Sequence, residues 1–333
     1  MKLFVAFAMV LTKERTMLRC TSHSYLRISQ GKSRSSRLNG AAMLGFLSLL
    51  LSPQVVFGAE IAENYIDPYE RARQSWESKT PLSSTAIKGR RVSVGDRFWQ
   101  VAILNSSIPD PLYAHFCSGA LVTSHWVVTS ARCVANRQAA ELTVLTGTDS
   151  LNFGGQNKKV LSIIVHASYN PRTFENDLAL LYLDTPTVNS QNTRPQFPSV
   201  EFEQQLIDGH EKIKIAGWGN TYDFGVKSLD LREAEAPLVP SQLCTAPDSQ
   251  GPLVKATMLC AGYEDERTNA CDGDSGGPAT VRNYGSEYLI GVMSWGECGA
   301  PKKYGVFTRI APYVGWIRAN LASIRSGTRY YFR

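Results

Sequence analysis

The chain has 333 residues, 43% of them hydrophobic and 19% charged, the composition of a globular protein rather than a disordered or fibrous one. Its formal net charge is +6, but residues 1–59 hold eight Lys or Arg and one Glu, a net +7, which leaves −1 for the remainder. The basic balance is therefore no argument for nucleic acid or a membrane surface, and no nucleic-acid partner is expected.

In chain order, a basic stretch with Lys32, Arg34 and Arg37 precedes an apolar run from Ala41 to Leu51, and Phe57-Gly58-Ala59 offers a small-residue cleavage site. Residues 1–59 thus read as a signal or targeting segment, which implies secretion to an extracellular or periplasmic space. The apolar run is short for a membrane-crossing helix, so no stable span is expected after cleavage, although an uncleaved anchor stays open, as does a start at Met17 or Met43. Residues 60–85 are polar, with Pro68, Pro81 and a Ser83-Ser84-Thr85 run, and read as a pro-segment or loose linker.

From 86 to 325 short β-rich runs alternate with turns, for example Trp99–Leu104, Phe116–Val122, Leu178–Leu183 and Tyr288–Ser294. That is the pattern of an all-β barrel protein, and roughly 240 residues suffice for one such domain. Val314, Ile317, Leu321 and Ile324 fall at helical spacing behind Pro312 and predict one amphipathic helix. Residues 326–333 form a basic, aromatic tail.

Chemistry concentrates in three segments. Cys271-Asp-Gly-Asp-Ser275-Gly-Gly-Pro278 sets a serine among small residues, so the backbone can turn tightly and direct the Gly273 and Ser275 N–H groups at one point, as an oxyanion hole requires. Glu175-Asn-Asp177-Leu-Ala-Leu-Leu181 opens an apolar strand with a carboxylate, and Trp126-Val-Val-Thr-Ser-Ala-Arg132-Cys133 ends another strand with an arginine.

These segments, with Ile215-Ala-Gly-Trp-Gly219 and Met293-Ser-Trp-Gly-Glu297, resemble the motifs of the trypsin-like (chymotrypsin family) serine proteases from about Ala86 to Ile324. The resemblance implies an all-β fold of two six-stranded Greek-key barrels with a C-terminal helix. It makes Ser275 the nucleophile and Asp177 the buried carboxylate, with Ser294 hydrogen-bonded to it. Disulfides Cys117–Cys133, Cys244–Cys260 and Cys271–Cys298 are implied, with Cys20 left over, and hence an oxidising compartment. No metal or other cofactor is expected, since no zinc-type cysteine spacing is present and the loop 147–155 lacks the glutamates of the family's calcium site.

The departure is Arg132, which stands where the family has its histidine base. An arginine cannot accept a proton at ordinary pH, and its expected structural use is a bidentate pair with Asp177. The five histidines are His23, His115, His125, His166 and His210, of which His115 is the least implausible substitute. Asn269, rather than aspartate, takes the floor position of the specificity pocket. Gly296 and Gly305 match its open wall, so uncharged or aromatic side chains are favoured.

Asp274 matches the acid that receives a freed N-terminus, yet the activation site Ala86-Ile-Lys-Gly89 follows Thr85 rather than a basic residue. Cleavage after Arg91 would leave seven residues before Trp99, fewer than the family spacing, so the processing site stays open. Three readings of function follow: a catalytically impaired homologue that binds protein or peptide segments, an active endopeptidase with a rescued or substrate-supplied base, or a structural module, capturing protease inhibitors, in which the site plays no part.

Overall fold

The structure, a computed structural model, describes residues 67–79, 89–187, 194–219, 228–264, 274–296 and 302–323. The leader, the 80–88 activation stretch, Gly273, Asn269, Cys20, the Cys271–Cys298 pair and the tail lie outside the described residues.

Short β-rich runs bounded by turns give six strands in the first half: β2 (Gln100–Asn105), β3 (His115–Leu121), β4 (Trp126–Thr129), β5 (Leu142–Thr146), β6 (Gln156–Val165) and β7 (Ala179–Leu183). They close in the order β2-β3-β4-β7-β6-β5, every neighbour antiparallel. The second half repeats the same order with β8 (Lys212–Gly217), β9 (Arg232–Val239), β10 (Met258–Ala261), β13 (Gly305–Arg309), β12 (Ser286–Trp295) and β11 (Pro278–Asn283), which returns to β8. A two-residue strand, β1 (Arg90–Arg91), adds to the outside of β9. The fold is therefore two closed six-stranded antiparallel barrels with a C-terminal helix, as the resemblance implies.

Strands β2 and β3 are buried along their whole length, because one face fills the first barrel and the other meets the second. Ala102, Leu104 and Leu145 from one barrel pack with Ala216, Trp218 and Leu231 from the other. The expected strand runs hold to within a residue or two at their ends.

The helix expected near the C-terminus runs over Val314–Ser323. It buries Ile317 completely and packs Val314, Trp316 and Leu321 on the core of the first barrel, although it follows the last strand of the second. A reading of 60–85 as loose chain missed a helix at Pro68–Ser78, here α1, which lies against β2, β3 and the short α2 (Pro111–Ala114). Its signal was present: Asp67 caps it by accepting the Tyr69 N–H at 2.8 Å, and Pro68 stands at the first helical position. A further helix at Val200–Asp208, capped by Ser199, was not foreseen either.

Asn105, which opens the sequence Asn105-Ser-Ser107, is 1% exposed, and its Oδ1 accepts from the Ser107 N–H and hydroxyl.

Candidate active site at the junction of the barrels

Three segments meet where the barrels adjoin. Strand β4 ends at Thr129, and Ser130 leads into a single helical turn, α3 (Ala131–Val134), that carries Arg132 and Cys133. The Cys117–Cys133 disulfide fastens this turn to β3, and a second bridge joins Cys244 to Cys260.

Asp177 precedes β7. The loop before it turns through Phe174 and Asn176, both at positive φ, and the Asn176 amide oxygen accepts the Tyr313 hydroxyl at 2.8 Å. The carboxylate that results is wholly buried. Its Oδ1 accepts the main-chain N–H of Arg132 at 2.7 Å and its Oδ2 the hydroxyl of Ser294 at 2.6 Å, while its main-chain oxygen accepts the Thr308 hydroxyl at 2.9 Å. Ser294 reaches it because the β12–β13 register slips between Met293 and Trp295, which leaves Ser294 as the extra, bulged residue.

Burial drives the Asp177 pKa up to about 6, against the opposing pull of the Arg132 charge and of the Ser294, Arg132 and Ala131 hydrogen bonds. The Arg132 guanidinium donates through Nη1 to the Ser294 carbonyl oxygen and lies 5.5 Å over the Phe174 ring. A main-chain hydrogen bond, rather than the bidentate fork expected from the sequence, thus joins Arg132 to Asp177, while the Arg132 charge still acts on the carboxylate.

Ser275 sits in a turn shared by both barrels and is 3% exposed. Its carbonyl oxygen accepts the Ser118 N–H of β3 at 2.8 Å and lies 3.7 Å from the Cys133 sulfur, while the next N–H, that of Gly276, donates to Met293 of β12 at 2.8 Å. Gly276 has φ +79°, and a Cβ there would collide with the Thr129 hydroxyl and the Ser118 carbonyl. Only glycine lets the turn close on β3. Asp274 is buried beside it, and its Oδ1 accepts the Gly219 N–H at 3.1 Å.

The structure therefore brings Arg132, Asp177, Ser294 and Ser275 into one neighbourhood. The Trypsin family description matches residues 86–317. This chain belongs to the trypsin family.

Among relatives, coagulation factor XII of Bos taurus is 37% identical over 222 residues, 63% of this chain and 36% of that protein. Serine protease 56 of Homo sapiens is 37% identical over 264 residues, 78% of this chain and 42% of its own length. Transmembrane protease serine 11G of Rattus norvegicus is 32% identical over 208 residues. The chain thus spans between about a third and a half of the curated relatives it matches. Among the described residues no helix is long and apolar enough to cross a membrane.

On this trypsin-family frame the described histidines can be placed. His115 is buried, with Nε2 3.5 Å from the Ser118 hydroxyl and its ring edge-on to Trp218. His125 stacks on Tyr182 and meets the Ser124 hydroxyl at 3.1 Å. His166 lies against Tyr313 and Trp316, where burial lowers its pKa, and His210 occupies a left-handed turn position.

Gly296, at φ +151°, is needed for a close approach of two chains, since a Cβ there would stand 2.9 Å from the Tyr304 carbonyl and 3.2 Å from the Gly305 Cα. Sequence reasoning missed Thr308, Thr129, Phe174 and Tyr313, which support the site from remote segments. No local motif announces them.

Proposed function

We propose that this trypsin-family chain is a secreted homologue in which Arg132 occupies the position of the general base, so that peptide-bond hydrolysis is lost or strongly impaired and the cleft works by binding protein or peptide segments. The carrying observation is the 2.7 Å bond from the Arg132 main chain to Asp177, which seats residue 132 against the buried carboxylate in the segment whose Cys133 touches the Ser275 peptide.

In this reading Ser275 is the nucleophile position, Asp177 the carboxylate and Gly273 with Ser275 the oxyanion donors. Arg132 presents only donors, so the Ser275 hydroxyl proton has no acceptor in the residue beside it. Loss of the base from a serine protease of another fold costs on the order of 10⁶ in turnover and leaves roughly 10³–10⁴ over water. By resemblance to the family, Asn269, Ser294, Gly296 and Gly305 are assigned to a specificity pocket favouring uncharged side chains, and Asp274 to the reception of a freed N-terminus. Secretion is supported by the signal-type leader and by the two disulfides.

The test compares the native protein with Arg132→His on a panel of peptide substrates and with a fluorophosphonate label. The expected outcome is no turnover above background in the native protein and measurable turnover in the variant. Brisk cleavage by the unmodified protein overturns the proposal.

A further inference from the structure

We propose that α1 is a resident part of the first barrel: it stays seated by non-covalent contacts after the chain is cut between it and β1. The docking surface is made of Tyr113, Phe116 and Arg137, and its occupant is residues 67–79 of this same chain.

The helix is built for this surface. Tyr69, Ala72 and Ser75 fall on one face and are buried, whereas Arg73 on the outer face bridges Glu70 and Glu77 at the surface. Tyr69 meets Phe116 edge-on at 5.4 Å and Trp76 meets Tyr113 at 5.5 Å. Arg137 closes the contact from the barrel side. It pairs with Asp67 at 2.9 Å and Glu70 at 3.2 Å and lies 4.1 Å over the Tyr69 ring. The helix stops at Lys79, whose left-handed conformation folds its ammonium onto Trp76.

The place of docking is what gives the contact a consequence. Phe116 lies two residues before Ser118, which holds the Ser275 carbonyl, and Arg137 lies five residues after Arg132. Between them runs the Cys117–Cys133 disulfide. The helix thus stands against both segments that flank the Ser275 peptide. The sequence has no cysteine between Cys20 and Cys117, so a cut within 80–88 leaves a fragment starting after the leader with no disulfide to hold it. Its retention rests on the seating contacts alone. This inference holds whichever way the Arg132 test falls.

The experiment replaces residues 83–87 in the full chain with the recognition sequence of a site-specific protease, cuts, and passes the product through gel filtration at low micromolar concentration. Both pieces are expected in one peak at equal amounts, by mass spectrometry. In Tyr69→Ala/Ala72→Arg, which alters only the helix and leaves the barrel surface intact, the fragment is expected to leave that peak. A synthetic peptide of residues 67–79 added to the emptied variant is expected to bind, and the same peptide carrying Tyr69→Ala to bind at least about tenfold more weakly. Loss of the native fragment on cutting overturns the proposal, and equal retention of the altered fragment overturns the assigned contacts.

Discussion

Asp177 holds a charge where charge is expensive. Its carboxyl, ordinarily ionising near 3.8, titrates near 6 because burial outweighs the Arg132 charge and three hydrogen bonds. The folded chain therefore holds this proton across a window in which the unfolded chain has released it. Stability from this group is full below pH 3.8 and is lost as the pH rises through about 6, a swing on the order of 3 kcal/mol. Asp177→Asn keeps the volume and an acceptor for the Arg132 N–H but cannot ionise. Its denaturant-derived stability is expected to fall less steeply than that of the native chain between pH 4 and 7, and parallel pH profiles of the two proteins would contradict the assignment. At this scale the sequence was informative about one pair that meets, Ser294 and Asp177, each of which lies in a recognisable motif. It was uninformative about where the Arg132 side chain goes, because its contacts there are a main-chain oxygen, that of Ser294, and the ring of Phe174, neither of which a sequence motif specifies.

The elements are joined by buried charge as well as by strand pairing. Arg97, 4% exposed, enters from the turn before β2 and ties three strands of the second barrel together. It donates to Glu233 of β9 through Nε at 2.6 Å, to Thr280 of β11 at 2.7 Å and to Glu287 of β12 at 2.8 Å. Glu233 is 3% exposed, so removal of Arg97 leaves a carboxylate buried among few remaining donors, of which Arg90 at 3.0 Å is one. Arg97→Leu is expected to cost about 3–5 kcal/mol, and Arg97→Leu/Glu233→Leu to recover most of that loss in urea unfolding. A double variant as unstable as the single would place the cost in packing instead. The strands were legible in the sequence because each is a short β-rich run bounded by turns, and the C-terminal helix because its apolar residues recur at helical spacing. α1 was passed over because Pro68, Pro81 and the Ser83-Ser84-Thr85 run suggest loose chain over 60–85. The decisive signals, Asp67 followed by Pro68 and the aromatic pair Tyr69 and Trp76, are few, and the surface they fit is assembled from Phe116, Tyr113 and Arg137, distant in the chain.

At the scale of the molecule, two barrels of identical strand order are made into one unit by residues that cross between them. Leu289, Val292 and Ile310 of the second half, with Tyr313 and Ile317 at the C-terminus, belong to the same apolar cluster as Val101, Leu121 and Leu180 of the first. The site lies on this crossing: Ser275 is held by Ser118 on one side and its neighbour Gly276 by Met293 on the other. Separation of the barrels would therefore dismantle the site before either barrel lost its strands, and a core that is shared requires both halves to unfold together. Ile317 tests this, being fully buried, remote from Ser275 in sequence and supplied by the last helix to the first barrel. Ile317→Ala is expected to cost about 2–4 kcal/mol. If the cluster is one cooperative unit, tryptophans on both sides report the same lowered midpoint: Trp126 in the first barrel and Trp218 at the seam. Single-tryptophan variants followed by fluorescence in urea separate the outcomes, since a midpoint that moved for Trp126 while Trp218 kept its own would mean two independently melting halves.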